Sequence, residues 1–172
     1  MKKINTPLTE DVIAELSAGE EILLSGEIYT ARDQAHKRLC QMIEQEQTLP
    51  VDLSESVFYY CGPTAAPKGK IIGSCGPTTS KRMDEFVPLL MANGQRVMIG
   101  KGRREERVRE AIVEYCGVYF VAPSGCGALL AECVIKNEPV AFADLGPEAI
   151  RKLTVENMPL IVAIDSKGKS IY

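Results

Sequence analysis

Residues 59–86 read YYCGPTAAPKGKIIGSCGPTTSKRMDEF, with Cys-Gly-Pro-Thr at Cys61–Thr64 and again at Cys75–Thr78. How this stretch divides decides the fold. Val57–Cys61 and Lys70–Cys75 carry strand-forming residues, and the Pro- and Gly-rich run between them reads as a turn. The two are therefore expected as an antiparallel hairpin. The second tetrapeptide leads into an apolar stretch of helical period. A helix is expected from Thr79 to Ala92, stopped by Asn93-Gly94 and kinked or broken at Pro88. The first copy leads only into Ala-Ala-Pro-Lys-Gly-Lys, so the second is expected to be the working one, with Thr64 lining the same cleft.

Working outward, a short amphipathic helix is expected over Thr9–Leu16 and a strand over Glu21–Tyr29. A helix from Ala31 to about Glu46 would start at Thr30 as N-cap, with Asp33 three residues on, close to a capping box. Downstream, strands are expected at Arg96–Ile99, Val118–Ala122, Val140–Ala143 and Leu160–Asp165. Helices are expected at Arg103–Tyr115, from Ser124-Gly-Cys-Gly to Ile135, and after Gly146-Pro147. Alternation of this kind predicts an α/β fold, with a mostly parallel central sheet plus the antiparallel hairpin. No linker or low-complexity segment interrupts it, so residues 1–172 are expected to form one domain.

The chain has 172 residues, 45% of them apolar, and a net charge of −3. That suits a packed globule and offers no basic field for nucleic acid or anionic membrane. No signal peptide or spanning segment is visible, and a cytoplasmic protein is the expectation. Six cysteines, at 40, 61, 75, 116, 126 and 133, include no Cys-x-x-Cys. This argues against a zinc ribbon or a thioredoxin-type site and for small buried hydrophobes.

Chemistry is sought where strands end and helices begin. Gly76-Pro77-Thr78-Thr79-Ser80-Lys81-Arg82 sits at such a place, and Thr78 and Arg82 are spaced to share one side of a first turn. A hydroxyl and a guanidinium over free N–H groups suit a carboxylate; a plain cap with a solvated arginine accounts for the same spacing. Gly100-Lys101-Gly102 follows a buried strand and lets backbone approach a ligand, or is a polar turn; it is not a Walker A loop. Arg32 lies near a helix start, unfavourable for the dipole unless an anion binds. His36, the only histidine, shares its face, and a structural role suits it equally. Arg32, Arg82 and Lys101 thus stand at element ends, which converge at one edge of an α/β sheet. A small dicarboxylate needs such a pocket.

The ordered set TARDQAH, YYCGPT, IIGSCGPTTSKRMD, MIGKG and ADLGPEAIRKLTVENMPLIVAID resembles the β subunit of class I, iron–sulfur-dependent fumarases and the related β subunit of L-tartrate dehydratase. The resemblance runs from about Leu8 to Tyr172. It implies a swivelling β/β/α domain and a partner α subunit carrying a [4Fe–4S] cluster, in an α2β2 assembly. It implies Thr78 as the base that removes a carbon-bound proton, and Arg32, Arg82 and Lys101 as carboxylate binders. His36, Gly76, Thr79 and Gly100 are expected to support them, with no metal ligand on this chain. The implied reaction is reversible hydration of fumarate to (S)-malate, with tartrate dehydration as the near alternative. A non-catalytic thiol- or iron-binding module is the alternative of another class.

Overall fold

A computed structural model describes all 172 residues. In chain order it contains β1 (Lys2–Asn5), α1 (Glu10–Glu15), β2 (Glu21–Thr30), α2 (Asp33–Glu44) and β3 (Val57–Tyr59). A single 3-10 turn (Ser80–Met83) precedes α3 (Val87–Ala92), β4 (Val97–Gly100), α4 (Glu106–Glu114), β5 (Val118–Val121) and α5 (Gly127–Glu132). The chain then forms β6 (Val134–Ala141), a second 3-10 segment (Ala143–Glu148) and the long β7 (Ile150–Ile164).

The seven strands make one mixed sheet. β2, β3, β4 and β5 pair side by side, all parallel. β7 runs antiparallel to both β5 and β2, so the pairings close into a ring of five strands. β1 adds parallel to the first half of β2, and β6 antiparallel to the first half of β7.

Side chains alternate across the ring strands and feed two cores, as the period of two demands. Ile28, Tyr59, Ile99, Phe120 and Val162 point into one, closed by Ile13 of α1 and Leu130 of α5. Phe58, Met98, Tyr119 and Ala163 point into the other, under Leu39 of α2, Leu90 of α3 and Ile112 of α4. Each large side chain so buried contributes about 1.5–3 kcal/mol. Truncating fully buried Phe120 to alanine would cost about 3–5 kcal/mol.

Five expectations need correction. Lys70–Cys75 forms no strand, and there is no hairpin with Val57–Cys61. β3 already has a parallel neighbour on each side, so no edge is open to receive it. The antiparallel hairpin lies elsewhere, between β6 and β7. There β7 begins at Ile150, where a short helix was expected, and β6 begins at Val134, inside the expected end of α5. The Ala31–Glu46 helix begins only at Asp33, because the Thr30 hydroxyl is spent in the sheet. It donates to the Ala149 carbonyl at 3.2 Å and accepts the Arg151 N–H at 3.1 Å, so it cannot cap. Finally, the Thr79–Ala92 helix does break as expected, but before Pro88 instead of at it: a 3-10 turn ends at Met83 and α3 restarts at Val87, with Pro88 harmless in its first turn.

Candidate active site

The parallel strands β2 to β5 end on one rim. Their pairing runs one residue past each strand: Ala31 N–H to the Tyr59 carbonyl, Tyr60 N–H to Ile99, and Ala122 N–H to Gly100, at 2.9–3.0 Å. Arg32, Cys61 and Lys101 therefore leave the sheet at the same edge.

The second Cys-Gly-Pro-Thr copy is laid across this rim by its backbone. Thr78 N–H donates to the Tyr60 carbonyl at 2.7 Å. Thr79 then forms a parallel bridge with Lys101. Ser80 N–H donates to the Lys101 carbonyl at 3.2 Å, while the Ser80 Oγ accepts the Lys101 N–H at 2.9 Å. Gly100 makes this contact possible, because a Cβ there would lie 1.9 Å from Ser80 Oγ. Thr78 and Thr79 are thus held beside Lys101, and the next 3-10 turn carries Arg82.

Arg82 joins Arg32 through one carboxylate. Asp33 accepts an ion pair from Arg82 Nη2 at 2.6 Å, and its other oxygen lies 4.0 Å from Arg32 Nε. Glu148 Oε1 lies 3.5 Å from Arg32 Nε. Arg32 Nε and Asp33 Oδ1 are nonetheless buried without a hydrogen bond. The guanidinium of Arg32 packs over Gly62, where a Cβ would come within 2.9 Å of Nη1. The first tetrapeptide therefore forms the floor under Arg32 instead of the strand of a hairpin.

Arg32 and Lys101 thus leave the sheet at one edge, and Arg82, three residues past the Thr79–Lys101 bridge, meets Arg32 through Asp33. Of the supporting residues, Thr79 and Gly100 touch Lys101 or its partner as described. His36 is fully buried one helical turn beyond Arg32, with its Nδ1 2.8 Å from the Arg32 carbonyl. Its ring meets Phe58 and Tyr60 edge-on. Burial pushes its pKa down to about 4, against its hydrogen bond to the Arg32 backbone, so the ring is neutral and donates from Nδ1. Gly76 packs on Gly127, whose Cα lies 3.3 Å from where a Gly76 Cβ would stand.

A buried polar network beneath the rim escaped sequence reasoning. The Asp84 and Arg104 side chains, both 0% exposed, pair at 2.6 Å, and Asp84 also accepts the Glu105 N–H at 2.7 Å. The Arg104 guanidinium lies over the Tyr119 ring at 4.7 Å and the Tyr60 ring at 5.2 Å. Tyr119 reaches Ser80 Oγ at 2.9 Å and the Gly102 carbonyl at 3.0 Å. No spacing in the sequence separates buried Arg104 from its neighbour Arg103, whose residue is exposed. The one available signal was the Asp in Ser-Lys-Arg-Met-Asp, a charge on the apolar side of its turn.

The two tetrapeptide cysteines meet as well: Cys61 and Cys75 Sγ lie 3.4 Å apart, both buried. No three His, Cys, Asp or Glu side chains converge in a metal-binding arrangement.

A family profile described as Fumarase C-terminus matches residues 2–172. "Putative L(+)-tartrate dehydratase subunit beta" of Methanocaldococcus jannaschii is 41% identical over 174 residues, covering 96% of this chain and 88% of the relative. "Fumarate hydratase 1, mitochondrial" of Leishmania major is 40% identical over 177 residues, covering all of this chain and 32% of the relative. "Fumarate hydratase class I, anaerobic" of Escherichia coli strain K12 is 37% identical, covering 98% of this chain and 32% of the relative. The chain thus spans most of the first relative and about a third of the other two.

Proposed function

The chain belongs to the Fumarase C-terminus family, and from that premise we propose that it is the β-type chain of an iron–sulfur hydro-lyase that hydrates fumarate reversibly to (S)-malate. One observation carries the reading: Arg32 and Arg82 share the Asp33 carboxylate, and Thr79, next to Thr78, bridges Lys101 at the ends of the parallel strands. A dianion set there meets two planar guanidinium forks and one ammonium, the donor set that recognises paired carboxylates.

In this proposal Thr78 takes the proton from the carbon next to a carboxylate. A threonine hydroxyl is too weak an acid to be ionised at neutral pH, so its proton must pass on. Thr78 makes its only hydrogen bond in this chain through its backbone N–H, which supports an acceptor from outside, an aspartate on the partner by the resemblance. The arginines and Lys101 hold the developing aci-carboxylate, electrostatic stabilisation of a kind typically worth several kcal/mol.

The thiols of this chain do not fit an iron–sulfur cluster, since Cys61 and Cys75 contact each other and no third ligand joins them. The reading therefore puts the [4Fe–4S] cluster on a partner α chain, in an α2β2 assembly. The present chain is read as one swivelling β/β/α domain, residues 1–172, that closes over the substrate. No helix is long and apolar enough to cross a membrane, and the cytoplasm is the proposed site of action.

A second reading, dehydration of L-tartrate to oxaloacetate, is favoured by the Methanocaldococcus relative, whose length is similar and whose name carries that activity. The same cationic rim serves both. Anaerobic co-expression with the partner chain, followed by assay of fumarate, tartrate and mesaconate, tests both readings. Turnover of fumarate above the others supports the first, and turnover of tartrate alone replaces it with the second. An isolated chain that binds iron, with no turnover in any complex, would favour a thiol- or iron-binding module and end both.

A further inference from the structure

Arg32 and Arg82 are held by carboxylates, but no ion pair holds Lys101. It stands between two glycines, and Gly102 has φ of 79° with open space around its α-carbon. A lysine on so free a turn would sweep a wide arc, yet three backbone groups of the turn are fastened. The Lys101 N–H and carbonyl are both bonded to Ser80. The third, the Gly102 carbonyl, is bonded to the Tyr119 hydroxyl.

The protons of this cluster can be assigned. Tyr119 has one hydroxyl proton and two oxygen neighbours, Ser80 Oγ and the Gly102 carbonyl. The carbonyl can only accept, so the Tyr119 proton goes there and the Ser80 hydroxyl donates to the Tyr119 oxygen. Ser80 Oγ keeps a lone pair for the Lys101 N–H. The chain Ser80 O–H to Tyr119 O–H to Gly102 C=O is then satisfied in one sense only. Tyr119 is itself immobile, wholly buried with its ring against the Arg104 guanidinium, and Arg104 is fixed by Asp84.

We propose that Tyr119 is a positioning residue of the site, which acts through Ser80 and Gly102 to aim Lys101 at the substrate carboxylate beside Thr78. The assignment rests on the hydro-lyase reading. Its mechanical half, that Tyr119 restrains the Gly100–Gly102 turn, stands apart from it.

The experiment is a double-mutant cycle of Tyr119→Phe and Lys101→Met in the complex with the partner chain. Phenylalanine keeps the ring under Arg104 and removes only the hydroxyl. Tyr119→Phe should raise KM for the dicarboxylate about three- to tenfold, the weight of one hydrogen bond, with kcat within about twofold. In the Lys101→Met background the same change should move KM less than about twofold. An unchanged KM, or an equal rise in both backgrounds, overturns the proposal. If the complex turns over none of the three acids, the functional reading has failed, and amide hydrogen exchange in the full chain decides the rest. The Lys101 amide should then exchange about tenfold faster in Tyr119→Phe, whereas unchanged exchange rejects the restraint.

Discussion

Arg82 and Asp33 form an ion pair of 2.6 Å that joins the 3-10 turn after Thr79 to the first residue of α2. The two residues lie far apart in sequence, and Asp33 also lies 4.0 Å from Arg32 Nε, so one carboxylate stands between the two arginines. Asp33 is 20% exposed and Arg82 52% exposed, so the acid is the fixed member and the arginine the part that can reach outward. About half of the Arg82 side chain stays exposed, and under the proposed function that is where a second carboxylate would pair.

Removing that fork should weaken substrate binding. Arg82→Ala deletes a charge-assisted contact of about 1.5–3 kcal/mol, so KM for the dicarboxylate should rise about ten- to hundredfold in steady-state assays of the complex. A KM within twofold of wild type would take Arg82 out of the site.

Thr78→Ala tests the chemistry separately from binding. Loss of a general base typically costs about 10²- to 10⁴-fold in rate, and kcat should fall by that order while KM moves by less than about threefold. Turnover at the wild-type level would remove the assigned role.

Gly100→Ala probes the contact beneath the rim. The new methyl would stand 1.9 Å from Ser80 Oγ and 2.9 Å from Tyr60 Cδ2, in a region with no room to give. Overpacking of this kind costs about 1–3 kcal/mol, visible as a lower urea midpoint at unchanged slope.

His36 makes stability depend on pH. Its folded pKa of about 4 lies below the ordinary 6.5, because burial disfavours the imidazolium. The unfolded chain therefore binds the proton first as the solution is acidified. The stabilisation is complete above about pH 6.5 and is lost as pH falls toward 4, by about 3 kcal/mol in total. The urea-unfolding stability of wild type relative to His36→Leu should fall by about 3 kcal/mol from pH 6.5 to 4, and a constant difference would reject the linkage.

Much of the fold could be read from pattern. α1, α4, β2, β4 and β5 lie within a few residues of expectation, because each joins a clear period to a clear stop. Local rules failed where tertiary structure outbid them. Thr30 has the chemistry of an N-cap, but β7 claims its hydroxyl. A short helix was expected after Gly146-Pro147, yet from Ile150 the chain is a strand flanked by β2 and β6. That Arg32, Arg82 and Lys101 stand at element ends was legible because such ends are marked by Gly, Pro and Thr. The roles of Asp33, Asp84, Arg104 and Tyr119 were not. Each depends on a partner distant in sequence, and burial of a charge leaves no local trace.

The ring of strands is sealed only by β7, the last strand of the chain. During synthesis, β2 and β5 must wait with naked flanks until the ribosome has delivered residues 150–164. A product stopped before Ile150 would present both flanks as templates for foreign strands, so early termination should yield aggregates in place of a smaller folded protein.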